Sequence, residues 1–147
     1  MNGNPFFLKF QELRRKGEFT ALTALIPYAA VVGFDLEETP SGLVTVLRRK
    51  DSNVGNTHIP AIHGGVVGAL LEHAGIMQLL WECEVERFPK IINISLDFLR
   101  PCRATQEARA SAVLIRQGRS VTNVRVEAWQ EDPSKPVAAA HAHFLMK

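Results

Sequence analysis

The segment Ile62-His63-Gly64-Gly65-Val66-Val67-Gly68-Ala69-Leu70-Leu71-Glu72-His73-Ala74-Gly75 opens a run that stays mostly apolar as far as Trp81. Two adjacent glycines ahead of such a run read as a turn feeding a helix that is buried on nearly every face. Glu72 interrupts it. A carboxylate in the middle of a buried helix costs on the order of several kcal/mol unless it is paired, hydrogen-bonded, protonated or facing a wet site. It is therefore the first candidate functional group in the chain.

Upstream of this turn, residues 51–61 contain Asn53, Gly55, Asn56 and Pro60 and read as a loop. Before it, residues 31–38 and 43–48 flank Thr39-Pro40-Ser41-Gly42 and predict an antiparallel hairpin. Residues 6–16 carry Phe6, Phe7, Phe10 and Leu13 at helical spacing, with Pro5 suited to the first turn. A second short helical piece, residues 20–26, ends before Pro27. Downstream, Glu82, Glu84, Glu86 and Arg87 mark the exit into solvent, and Pro89 prevents continuation. Strands are expected at 91–99, 108–117, 121–130 and 137–146, with Gln117-Gly118-Arg119-Ser120 as a tight turn between the second and third of these. In the last, Ala138, Ala140, Ala142 and Phe144 share one parity, and Ala139, His141 and His143 the other.

The 147 residues make one domain, and 46% hydrophobic content supports a globular core. A net charge of +2 gives no broad footprint for nucleic acid. Cys83 and Cys102 are too sparse for a disulfide framework or a metal site and read as reduced thiols. The N-terminus lacks a signal-peptide series, so the expected location is the cytoplasm, with no membrane association. Strands on both sides of one buried helix make an α+β fold, an antiparallel sheet curled around that helix. Residues 1–26 are then an N-terminal helical extension and residues 27–147 the main domain. One helix leaves an edge strand available, so dimerisation completes the fold.

The order of elements and the His63-Gly64-Gly65-x6-Glu72 spacing resemble the hotdog fold, in particular the phenylacetate-pathway (PaaI-like) type of acyl-CoA thioesterase, over roughly residues 27–146. Gly55-Asn56, Ile94-Ser95-Leu96-Asp97-Phe98-Leu99-Arg100-Pro101 and Gln117-Gly118-Arg119 agree with it. The resemblance implies hydrolysis of an acyl-CoA or acyl carrier protein thioester, with no cofactor and no metal, by an obligate homodimer extendable to a dimer of dimers. It implies that Glu72 is nucleophile or general base, that the Gly64 and Gly65 backbone polarises the thioester carbonyl, that His63 is the turn histidine and that Asn56 is the loop amide positioning substrate or water.

The physics agrees independently. The first N–H groups of a helix have no intrahelical partner and carry the positive end of its dipole, so Gly64 and Gly65 form a candidate oxyanion hole. Glu72 lies about 10 Å further along the axis, too far to serve the turn of its own helix. In the resembled family two helices run antiparallel across a dimer interface, so the turn of one subunit meets the acid of the other. Arg100, Arg103, Arg116 and Arg119 lie near strand ends, where arginine suits phosphate. Arg100, Arg119 and Ser120 are the substrate-binding candidates. Phe6, Phe7, Phe10 and Tyr28 offer apolar surface for the acyl group. Two other readings remain. His58-Ile59-Pro60, fourteen residues before Glu72, resembles the layout of the 3-hydroxyacyl-thioester dehydratases, although their helix opens with Pro-Gly. The third is a non-catalytic acyl-CoA-binding module on the same fold.

Overall fold

The structure, a computed structural model, describes residues 3–147. Asn4 caps α1 (Pro5–Lys16), its Oδ1 accepting from the Phe6 N–H at 3.0 Å, and Gly17 closes the helix at φ +71°. After α2 (Phe19–Thr23) the chain departs from the sequence reading: Val31 and Val32, expected to begin a strand, end a third helix, α3 (Pro27–Val32). Pro27 occupies the first turn of this helix, where a missing N–H costs nothing, and Gly33 at φ +94° takes the left-handed position that ends it.

The hairpin of β1 (Phe34–Thr39) and β2 (Gly42–Leu47) follows. The stretch read as a loop contains a 3-10 turn, Asp51–Asn53, and a small ribbon of β3 (Val54–Asn56) and β4 (Ala61–Ile62). Then come the long helix α4 (Gly64–Glu82) and four strands: β5 (Lys90–Phe98), β6 (Ala108–Gln117), β7 (Val121–Trp129) and β8 (Ala138–Leu145). Six strands form one antiparallel sheet in the order β1-β2-β6-β7-β8-β5. The strand that follows α4 crosses to the far edge.

The sheet face under α4 is paved with small side chains. Ala108, Ala110 and Ala112 on β6, Ala128 on β7, and Ala138, Ala140 and Ala142 on β8 are all buried, as the alternation in β8 predicts. Volume comes from the helix, whose Val67, Leu70, Leu71 and Leu79 fill the same core, together with Leu47, Val124, Val126 and Phe144 of the strands. Helix and sheet meet closely at Gly75, where a Cβ would lie 3.2 Å from the Phe144 ring.

A second core lies on the C-terminal half of α4. Phe10, Leu13 and Leu22 from α1 and α2 pack there with Leu36, Leu43, Met77 and Leu80. The Arg14 guanidinium stacks 3.8 Å over the Trp81 ring and donates to the Trp81 carbonyl. This corrects the expectation that Phe6, Phe7 and Phe10 line an acyl pocket. Phe6 contacts Phe7, Phe10 and Phe88, and Phe10 is fully buried, so these rings hold α1 down instead. Tyr28 and Val31 face solvent from α3.

One stripe of α4 stays incompletely covered. Gly65 is exposed, and Ala69, Glu72 and Ile76, at helical spacing from it, are half-buried. The stripe runs beside β5, where Leu96 comes within 3.2 Å of the position a Gly68 Cβ would take. β5 is an edge strand, and it leaves Ile92 and Phe98 57% and 58% exposed.

Candidate active site

His63 is the N-cap of α4. Its backbone, at φ −57° and ψ 132°, stays extended while Nδ1 accepts the Gly65 N–H at 2.9 Å. Three bonds pin this turn. The His63 N–H donates to the Asn53 carbonyl at 2.8 Å, the Ile62 N–H to the Cys102 carbonyl at 2.8 Å, and the Asn53 amide to the Val32 carbonyl at 2.8 Å. β3 passes so near that a Cβ on Gly55 would fall 2.6 Å from the His63 Cα, a contact only glycine escapes.

The cap separates the two glycine amides. The Gly65 N–H is taken by His63, and the Val66 and Val67 N–H groups share the His63 carbonyl at 2.9 and 3.2 Å. The Gly64 N–H has no acceptor among the described residues and opens to solvent. It is free to donate to a ligand. The Phe98 ring stands 3.6 Å from where a Gly64 Cβ would lie, placing an exposed aromatic face at the turn. Sequence reasoning did not single out Phe98, although Ile94, Leu96 and Phe98 share the inward parity of β5.

Glu72 is half-buried, without a hydrogen bond or ion pair among the described residues, and burial pushes its carboxyl up from its ordinary value. A stronger base results. Next to it His73 turns into the core, its ring centroid 4.8 Å from that of Phe34 and its Nε2 without a partner. Burial depresses its imidazole to about 4. It is a neutral core residue.

Asn56 lies in the ribbon beside the turn, paired with Ala61. Its Oδ1 accepts from the His58 and Ile59 N–H groups at 2.9 and 3.3 Å, which folds the connection, and leaves the amide nitrogen to point outward as a donor. Arg100 sits beyond the end of β5, at the turn end of the sheet, and donates to the Pro136 carbonyl. Arg119 and Ser120 lie in the β6–β7 turn at the other end, since Lys90 pairs with Leu145 and Leu145 with Val121, whereas Phe98 pairs with Ala138 and Ala138 with Ala128. The length of β7 puts Arg100 and Arg119 roughly 25 Å apart. One subunit does not bring the three substrate-binding candidates together.

Among the described residues no group of three His, Cys, Asp or Glu could hold a metal, and no helix is long and apolar enough to cross a membrane. Cys83 and Cys102 are free thiols.

A family model for the acyl-CoA thioesterase N-terminal domain matches residues 53–145, from the loop ahead of His63 to the end of β8. The chain belongs to this acyl-CoA thioesterase family. Among solved structures, a Chromobacterium violaceum protein is 37% identical over 95% of this thioesterase and 97% of its own chain, with a TM-score of 0.76. A phenylacetic acid degradation-related protein from Ralstonia eutropha is 28% identical, with 82% and 89% covered and a TM-score of 0.71. The phenylacetic acid degradation protein PaaI from Thermus thermophilus, at 21% identity, 82% and 99% covered and a TM-score of 0.66, shares the fold. The search of curated proteins gave no match. The thioesterase is a thioester hydrolase with the hotdog architecture that its helix and strand order predict.

Proposed function

We propose that the thioesterase hydrolyses acyl-CoA at sites shared by two copies of the chain, the Gly64 amide of one facing Glu72 of the partner subunit. One observation carries this reading: the open Gly64 N–H and the unpaired Glu72 belong to one continuous helix yet stand about 12 Å apart along its axis. A single carbonyl cannot touch both. A second helix running antiparallel along the uncovered stripe brings each turn to the other's acid. The crossing point then falls beside Ala69 on that stripe, close to midway between them, where a small side chain lets two helices approach. The bare edge of β5 alongside would pair with its symmetry mate.

The thioester oxygen accepts from Gly64, and the negative charge that develops on it is stabilised by that N–H and by the helix dipole. The carboxylate of Glu72 takes a proton from water as the hydroxyl adds to the carbonyl carbon, and returns it to the sulfur as the C–S bond breaks. Direct attack by the carboxylate, followed by hydrolysis of the anhydride, gives the same acid and thiol. His63 holds the turn, and Asn56 offers its amide to the substrate. Arg119 and Ser120 reach this site only from the partner, whose far sheet end an antiparallel two-fold brings to this turn.

Two inactive variants test the sharing. Gly64→Pro removes the open N–H at a helix position that favours proline, after a residue whose extended backbone accepts one. Glu72→Ala removes the acid. Each alone should lose thiol release from acyl-CoA. Unfolded and refolded together, they should recover about a quarter of wild-type turnover, because half the dimers then carry one intact site. A mixture that stays dead while its dimers form would refute the shared site.

A further inference from the structure

A cavity of about 510 Å3 forms an open shelf at the turn end of the sheet, with Arg100, Arg103 and Lys135 for cations and Gln106, Glu131 and Asp132 beside them. We infer that this shelf binds the phosphate-bearing nucleotide of coenzyme A, with Arg103 and Lys135 on the phosphates. The inference rests on the thioester reading above.

The first support is free charge. Neither the Arg103 guanidinium nor the Lys135 ammonium has an ion-pair or hydrogen-bond partner among the described residues. The acids are already engaged by neutral donors. Glu131 accepts from the Gln106 amide at 2.8 Å, and Asp132 accepts the Ser134 N–H and hydroxyl at 2.9 and 2.7 Å. Their remaining lone pairs can receive ribose hydroxyls or the adenine amino group, while the cations take the phosphates.

The second support is placement. The Gln130 side chain clamps Arg103 on both backbone groups, accepting its N–H at 2.9 Å and donating to its carbonyl at 2.8 Å. Arg103 also pairs with Ala61, and the neighbouring Ala104 N–H bonds the Pro60 carbonyl at 2.7 Å. An otherwise free surface arginine is thus tied, through β4, to the residues that enter the His63 cap. Three residues of extended chain separate Ala61 from Gly64, so the guanidinium stands on the order of 10–15 Å from the oxyanion donor. Pantetheine has about the length of four extended residues, roughly 14 Å, and spans that distance.

The test compares an acyl-CoA with the same acyl group on pantetheine, which lacks the nucleotide. Wild-type protein should show a KM at least about tenfold lower for the CoA ester, and Arg103→Ala should erase most of that ratio, as expected for loss of a charge-assisted phosphate contact. Lys135→Ala should erase part of it, and Gln130→Ala, which frees the Arg103 backbone, should raise the KM for the CoA ester with little change in kcat. A ratio unmoved by Arg103→Ala, or moved only by Arg119→Ala, overturns the inference. If wild-type protein hydrolyses neither ester, the thioesterase mechanism fails instead. Calorimetry with CoA against pantetheine then still decides the shelf, by whether Arg103→Ala weakens CoA binding alone.

Discussion

At one edge of the sheet, β1 is six residues long, packs against α2 and sits under a lattice of charge, whereas at the other β5 runs nine residues and leaves Ile92 and Phe98 in solvent. On the β1 side Arg48 reaches Asp35 at 3.1 Å and Glu107 at 3.0 Å, Arg109 reaches Glu37 at 2.6 Å, and the Thr20 hydroxyl of α2 donates to Asp35 at 3.2 Å. A covering helix and a short strand are among the devices by which proteins close an edge to strangers. β5 has neither, and only a bulge at Ile92 interrupts its register. The difference shows which edge the fold protects and which it offers, and the offered one borders the α4 stripe that carries Glu72.

The sharpest way to break this contrast is to charge the open edge. Ile92→Glu should place an unpaired carboxylate in a strand-to-strand joint, at a cost of about 3–5 kcal/mol, and convert the protein to a monomer that has lost turnover. Sedimentation and thiol release read both outcomes. An active monomer would separate the open edge from catalysis. On the closed side the inner anchor is His73, packed on the first residue of β1. The unfolded chain binds a proton near pH 6.5 and the folded chain only near 4, so acid favours unfolding. Stability from this group is complete above pH 6.5, falls as pH drops towards 4 and is flat below, a loss of roughly 3 kcal/mol. Urea midpoints at pH 7 and pH 5 should diverge in the wild type and draw together in His73→Leu. The smallest effect belongs to the outer lattice. Arg48→Ala should cost about 1 kcal/mol, less at high salt, and leave turnover intact, since its partners are themselves partly exposed. A loss of activity there would tie the closed edge to the site.

Much of this was legible in the chain because it rests on period and punctuation. The apolar run from Val66 gave α4, Gln117-Gly118-Arg119-Ser120 gave the β6–β7 turn, and the alternation in β8 set its alanines and Phe144 apart from its histidines, the former being the face the fold buries. α3 was missed because Pro27 stops one helix and starts another with the same ring, and only Gly33 at its end distinguishes the two. The ribbon of β3 and β4 is too short to show a period. For the site, sequence pointed to the turn and to Glu72, but the division of labour between Gly64 and Gly65 depends on a His63 rotamer that no spacing reveals. Arg100 and Arg119 looked equivalent because each follows a strand. Their separation is a matter of which way those strands run.

The alanines beneath α4 have a consequence for how two copies could join. A helix resting on leucines or phenylalanines would ride high above its sheet, and two such helices would collide before their sheets met. With alanine beneath and Gly75 against Phe144, α4 can sit close to its sheet, which favours a flush seam between edge and helix. A single methyl-to-isopropyl change at Ala140, far from any reacting atom, would act as a shim under that seam and open it at both ends.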